Sequence, residues 1–272
     1  MARILVTGGT GHLGRLVVPR LVRTGAEVRV VSRSPHAEGD GVRYVVADWT
    51  TGEGLAQAVG DAEVIVHLAG DQLHNEPMAR ALVRAVRDAG VDPHLVNVSV
   101  VGAEKVPVRS GFDRRALGYM ASKLAQEQVL EESGIAWSNL RATQFHELVL
   151  IAARGLAKLP VVPTPSGWRA QPIAADEVAA RLVELALGEP QGRVPDYAGP
   201  EVHTFRSMVR DYLDAVGSRR PTMPVRVPGA ASRAYAAGGN LAPDRAVGKQ
   251  TWAEFLAERV GSAVPAEPVV QR

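Results

Sequence analysis

Tyr119 and Lys123 stand four residues apart in a stretch of helical periodicity. Their side chains therefore leave the same helix face, one turn apart. A protonated lysine beside a phenol favours the phenolate and lowers the phenol's pKa. A tyrosine so placed can donate a proton to a carbonyl oxygen as hydride arrives, or take one in reverse. The same spacing also fits a surface tyrosine and a lysine paired to Glu127, four residues further on. Ser99 ends an apolar run, Asn97-Val-Ser-Val-Val-Gly102. At the carboxyl end of a strand in a parallel sheet its hydroxyl can hold a reacting oxygen, or simply satisfy the strand end.

A second pattern lies at the start of the chain. The apolar stretch from Ile4 to Val6 runs into Gly8, Gly11 and Gly14, spaced G-x-x-G-x-x-G. The residues after Gly14 have apolar positions at helical spacing, with Pro19 as a candidate kink. A glycine triplet alone says little; between a buried-type strand and a helix it is a dinucleotide fingerprint. Side chains there would hold a pyrophosphate off the backbone, and the helix start offers free N–H groups and positive dipole density. The turn Thr7, Gly8, Gly9, Thr10, Gly11, His12, Leu13 and Gly14 is therefore expected to bind a nicotinamide dinucleotide. At the end of the second strand, where an acidic residue would hold a ribose 2′-hydroxyl, the chain has Ser32, Arg33 and Ser34. An arginine flanked by hydroxyls suits a phosphate dianion, so NADP(H) is expected over NAD(H). Asp48, after the third strand, is a candidate acceptor for the adenine amine or a turn-forming aspartate.

These residues need a frame, and the periodicity supplies one. Strands are predicted over residues 27–32, 42–47, 63–69, 95–100 and 136–140, and helices over 54–59, 76–89 and 116–133. Continuous apolar strands alternating with helices imply a parallel sheet covered on both faces. The fold class is α/β: a Rossmann-type doubly wound sheet with a smaller C-terminal α+β substrate-binding region. Residues 1–145 form the expected NAD(P)-binding domain and 146–272 the substrate or cap region. There, helices are predicted over 145–158 and 174–187, a proline-rich loop over 159–167, and short elements over 193–198, 205–216, 223–227 and 252–260. The 174–187 helix is expected to pack back on the main sheet, and the tail 263–272 to fray.

Composition narrows the functional classes. The 272 residues carry 46% hydrophobic and 22% charged side chains and a formal net charge of +2. That is ordinary for a globular protein. With no long basic run, nucleic acid is not expected as a partner. The chain has no cysteine, which excludes disulfides, thiol catalysis and cysteine-held metals, and no metal site is expected. No run approaches the apolar length of a membrane span, and the N-terminal apolar segment is too short for a signal peptide. A cytoplasmic monomer or homodimer acting on a small molecule is the expectation.

Taken together, Thr7-Gly-Gly-Thr-Gly-His-Leu-Gly14, His67-Leu-Ala-Gly70, Ser99 and Tyr119-Met-Ala-Ser-Lys123 resemble the short-chain dehydrogenase/reductase superfamily. The run from Lys123 to Val129, Gly134 to His146, and Gln171 to Val178 resembles its atypical, NmrA-like branch more closely. The resemblance implies a Ser99–Tyr119–Lys123 catalytic set, with Lys123 also holding the nicotinamide ribose. It places Ala69, Gly70 and Thr143 near the cofactor. The His67-Leu-Ala-Gly70 segment replaces the orthodox Asn-Asn-Ala-Gly and leaves the proton-relay asparagine unplaced. The branch includes quinone and aromatic-ring reductases, and regulators that bind dinucleotides without turnover. Three readings follow: an NADPH-dependent reductase of an apolar carbonyl, quinone or enone with Tyr119 as proton donor; a redox-sensing regulator; or a cofactor-assisted epimerase or dehydratase. Trp49, Met120, Phe145, His146 and Trp168 are candidates to line an apolar substrate pocket, although for each one alone core packing is the better reading.

Overall fold

Runs of Val, Ile and Leu separated by helical segments form one parallel sheet clad on both faces. A computed structural model of the chain describes residues 1–37, 39–49 and 51–260. The first half contains β1 (Arg3–Thr7), α1 (Gly14–Arg23), β2 (Glu27–Ser32), β3 (Val42–Val46), α2 (Leu55–Val59), β4 (Val64–His67), α3 (Asn75–Ala89), β5 (His94–Val100), α4 (Gly111–Glu131) and β6 (Trp137–Ala142). The second half contains α5 (His146–Leu156), β7 (Val162–Pro165), β8 (Arg169–Ala170), α6 (Ala175–Leu187), β9 (Gly192–Arg193), β10 (His203–Thr204), α7 (Phe205–Ala215), β11 (Thr222–Val225), α8 (Ala230–Ala236) and α9 (Trp252–Val260). The tail 263–272 lies outside the described residues.

The main sheet has seven strands in the order β3-β2-β1-β4-β5-β6-β9, every neighbour parallel. Strand order reverses between β1 and β4, which opens the crevice where doubly wound folds hold their ligands. Alternation along each strand divides the core. Ile4, Val6, Val28, Val30, Val66 and Val96 face α1 and α6, where Val17, Leu21, Val178 and Leu182 cover them. Leu5, Val31, Ile65 and Leu95 face the other way, against Leu55, Leu82, Val86 and Leu130 from α2, α3 and α4. Helix α6 thus belongs to the main sheet's cover, although it follows the first segments of the C-terminal region. Short β9 carries the chain back to that sheet again.

Three elements differ from the sequence expectations. Helix α4 starts at Gly111, five residues before the predicted 116. Ser110 caps it: its hydroxyl accepts the Asp113 N–H, while the Asp113 carboxylate accepts the Ser110 N–H, a reciprocal box. A non-helical Leu117 (φ −140°, ψ 22°) then kinks the helix just before Tyr119. The proline-rich 159–167 stretch is not all loop, because β7 pairs in parallel with β11. Both strands contain proline, which a two-stranded sheet tolerates at its edges. Helix α8 was not expected at all.

Leu182 is fully buried between α6 and the sheet. Leu182→Ala should lower unfolding free energy by about 2–5 kcal/mol, read as a drop in the urea midpoint with unchanged slope. A loss below about 0.5 kcal/mol would place α6 off the core.

Candidate active site

The site begins where β1 ends. Gly8 turns with φ +67°, and a Cβ there would lie 2.6 Å from the Ala69 nitrogen. A Cβ on Gly14 would lie 2.3 Å from the Gly8 carbonyl oxygen. The turn closes only with bare glycine at both points. It is braced by a Gly11 N–H to Gly8 carbonyl hydrogen bond of 3.0 Å. No side chain caps α1; its Arg15 and Leu16 N–H groups are taken by the Gly11 and Leu13 carbonyls, so the positive end of the helix meets an anion at the exposed glycine turn itself. Thr10, Gly11 and His12 are exposed, whereas Gly9, Leu13 and Gly14 are buried. The residues fit a dinucleotide pyrophosphate.

Thr7 lies beneath this turn, fully buried. Its hydroxyl accepts the Ala69 N–H at 3.1 Å and pairs with His67 Nδ1 at 2.8 Å. Thr7 therefore ties β1 to β4, and its side chain serves the turn from below. Gly70 follows; a Cβ there would collide with Asn75 Oδ1 at 2.2 Å. His67 is fully buried, and burial, with Lys123 nearby, lowers its pKa to about 3.

The adenosine end is more open. Arg33 is exposed at the end of β2. The Ser32 hydroxyl is engaged by the Ser34 N–H at 3.2 Å and by His36 Nε2 at 2.9 Å. His36 in turn packs on Tyr44, ring centres 4.7 Å apart. A cavity of about 680 Å³ lies on the α1 side of the glycine turn, lined by Thr10, Arg15, His36 and Tyr44 among others. It is larger than the reaction pocket but holds none of Ser99, Tyr119 and Lys123. Asp48 stands in a tight turn, its N–H on the Glu53 carbonyl at 3.0 Å and its carbonyl on the Gly52 N–H at 2.8 Å.

Beyond the glycine turn, Ser99, Tyr119 and Lys123 come together in one cavity of about 250 Å³. Leu13, Leu68, Val98, Met120, Phe145 and Leu148 supply apolar walls, and Gly70, Thr143, Gln144 and Tyr235 complete much of the lining. The Ser99 Oγ is buried with no hydrogen-bond partner. Thr143 is held by its own hydroxyl, which accepts the Gly199 N–H at 3.1 Å. Lys123 Nζ donates to the Val98 carbonyl at 3.1 Å and to Gln126 Oε1 at 2.9 Å, and stands 5.8 Å from the Tyr119 ring centre. The alternative Lys123–Glu127 hydrogen bond is not made. Glu127 instead receives Arg141 through Nε at 2.8 Å and Nη2 at 2.5 Å, and Arg141 also reaches Glu104.

Protonation differs from the sequence expectation. Lys123 does not lower the Tyr119 phenol. Desolvation, with the neighbouring Tyr235 phenol, pushes it up to about 12. Solvent tempers that rise, since the residue is 39% exposed. The ammonium is directed at Val98 and Gln126, which leaves burial to dominate. Burial brings Lys123 itself down to about 8, against the pull of Glu127.

The remaining candidates divide. Phe145 and Met120 line the cavity. His146 is fully buried elsewhere, with Nε2 on the Gln250 carbonyl at 3.1 Å and its ring stacked on Phe255 at 4.9 Å. Trp49 packs near His67, ring centres 6.1 Å apart. Trp168 stands behind the pocket, its ring 4.9 Å from that of Tyr235 and its Nε1–H on Ser232 Oγ at 2.9 Å. Sequence reasoning missed Tyr235, which lies on unexpected α8. Its signal was the alanine-rich run 230–237 after Gly229.

Comparison with known proteins agrees with this geometry. A family model described as NAD(P)H-binding matches residues 8–187. The (4-alkanoyl-5-oxo-2,5-dihydrofuran-3-yl)methyl phosphate reductase of Streptomyces griseus is 28% identical over 221 residues, 79% of this chain and 74% of that protein. Quinone oxidoreductase 2 of Escherichia coli is 24% identical over 227 residues, 79% of this chain and 75% of its own. The crystal structure of the NADPH-dependent quinone oxidoreductase QOR2 of Escherichia coli with NADPH superposes with a TM-score of 0.79. It has 18% identity and covers 94% of this chain and 99% of that one. Among the described residues no helix is long and apolar enough to cross a membrane.

The buried neutral His67 sets a pH dependence. Its folded pKa lies below the unfolded value, so the stability it contributes is complete above pH 6.5 and is lost as pH falls towards about 3. By pH 5 the loss should reach about 2 kcal/mol. His67→Gln should flatten the decline of the urea midpoint between pH 6.5 and 5; parallel curves would contradict the assignment.

Proposed function

The chain belongs to the NAD(P)H-binding family, and on that premise we propose that it is an NADPH-dependent reductase of the atypical short-chain dehydrogenase/reductase type, acting on an uncharged carbonyl, quinone or enone. One observation carries the reading most: Ser99, Tyr119 and Lys123 share a single apolar cavity next to the glycine turn. The reductase and oxidoreductase named among its relatives support the same chemistry. The cavity has neither carboxylate nor arginine in its lining, which suits an uncharged substrate.

Gly8 to Gly14 would hold the pyrophosphate, Arg33 the 2′-phosphate, and Lys123 with Thr143 the nicotinamide end. When bound, NADPH supplies the hydride and its two electrons. The Ser99 hydroxyl, buried without a partner, donates to the carbonyl oxygen and fixes its position. Tyr119 delivers the proton to that oxygen, completing the alcohol or hydroquinone. A phenol shifted upward by desolvation is loaded with its proton at neutral pH, and it needs the ammonium most when the phenolate forms. Lys123, at about 8, is charged at neutral pH and discharges above it.

Tyr119→Phe should lower kcat by about 100- to 10,000-fold while the NADPH dissociation constant stays within about two-fold. In the wild type, kcat should fall above about pH 8 as Lys123 loses its proton. Full turnover by the variant would remove Tyr119 from the chemistry. The choice of NADPH rests on Arg33. Arg33→Ala should weaken NADPH binding roughly ten-fold and leave NADH binding unchanged, measured by calorimetry.

A further inference from the structure

The mechanism assigns no part to two polar groups of the pocket wall, Gln144 and Tyr235; the Gln144 amide is spent on the Asn240 carbonyl and the Gln171 N–H, which leaves Tyr235. It belongs to α8, which packs against Met120 of α4, and lines the same 250 Å³ space as Tyr119. Its hydroxyl has a poor partner: the contact is to the Met120 thioether, 4.0 Å away. Sulfur is a weak acceptor, and a desolvated phenol normally finds an oxygen or nitrogen. The ring is not free to swing to one. Trp168 packs against it, ring centres 4.9 Å apart and planes tilted by 39°, and is itself pinned by its hydrogen bond to Ser232. Desolvation pushes the Tyr235 phenol up to about 12, so it is a neutral donor at any working pH.

We propose that Tyr235 is a specificity-determining residue that donates a hydrogen bond to a second oxygen of the substrate, so that the pocket selects an uncharged ring bearing two carbonyl oxygens. This rests on the reductase reading of the site. Tyr119 and Ser99 hold the oxygen being reduced, and Tyr235 reaches the cavity from a different segment of chain. Two neutral phenols carried by separate helices, a largely apolar lining and no charged group other than Lys123 match a flat dione better than a ketone with one oxygen. A dione satisfies both phenols; a monoketone leaves the Tyr235 hydroxyl on a thioether, and an unsatisfied donor costs affinity. The volume is below the roughly 300–1,000 Å³ of pockets that enclose whole drug-sized ligands. The nicotinamide end, held by Lys123 and Thr143, takes part of that space, and what remains suits a single ring system bordered by both phenols.

The test compares two uncharged bicyclic compounds of similar size, 1,4-naphthoquinone with two oxygens and 1-tetralone with one. With NADPH, Tyr235→Phe should lower kcat/KM for the naphthoquinone roughly ten-fold, mainly through KM, and leave the value for the tetralone unchanged. Equal effects on both compounds, or none, would overturn the proposal, since a mere wall residue would treat them alike. Calorimetry on wild-type protein saturated with NADP⁺, where no turnover occurs, gives a reading that needs no variant. Naphthoquinone should bind about ten times more tightly than tetralone, and equal affinities would refute the grip. If the wild type binds the dione preferentially yet reduces neither compound with NADPH, the reductase reading falls and the Tyr235 contact stands.

Discussion

The site depends on how closely two backbones meet at the carboxyl ends of β1 and β4. Gly8 comes so near Leu68 and Ala69 that a side chain there would overlap main-chain atoms. The Thr7 hydroxyl closes the same junction by accepting the Ala69 N–H and pairing with His67. Two strands that touch in this way leave the crevice directly above them, with α1 pointing its uncapped start into it. The histidine is essential to this junction only as a neutral ring. An ion there would have to be buried beside the Lys123 ammonium.

A second constraint concerns charge. Helix α4 presents both Lys123 and Glu127 to the interior, both almost fully buried. If they paired with each other, the lysine would be drawn along the helix and away from the pocket. Arg141, from β6, prevents this by taking both oxygens of Glu127 in a bidentate pair. Lys123 is then left to two neutral acceptors, Val98 and Gln126, which orient the ammonium without discharging it. Arg141 and Glu127 are thus positioning residues: neither lines the cavity, yet their pairing decides where the lysine points.

The parts of the molecule legible in the sequence are those whose cause is local. Buried strands such as Val64–His67 and His94–Val100 announce themselves because a parallel sheet clad on both faces has no polar side to interrupt the run. The glycine turn is legible because its steric demand falls on consecutive residues. Tyr119 and Lys123 are legible because one helix turn relates them. The rest is hidden for stated reasons. The start of α4 lies in a polar, charged stretch whose only signal is Ser110 followed by Asp113. Prolines at 163 and 165 disguise β7, which needs only the edge of β11. His146 has the position of a site residue at the end of β6, but α9, more than a hundred residues on, folds Trp252 and Phe255 over it.

Tyr235 is hidden for the deepest of these reasons, because its helix exists through a contact and not through its own pattern. Helix α8 spans seven residues, too few to be stable alone. Its first turn is anchored where the Ala231 N–H meets Asp113 Oδ1 at 3.3 Å, across 118 positions of sequence. That carboxylate is the one that caps α4: its Oδ2 accepts the N–H groups of Arg109 and Ser110 and the Ser110 hydroxyl. Those donors, the Ser110 hydroxyl first, hold the Asp113 carboxyl below the usual carboxylate range, so the anion that both helices need is present at neutral pH. One side chain therefore starts the helix that carries Tyr119 and the helix that carries Tyr235. The two phenols are thus tied to one carboxylate, which lies six residues before Tyr119 and is bonded to Ala231, four residues before Tyr235, a relation that only the folded chain contains.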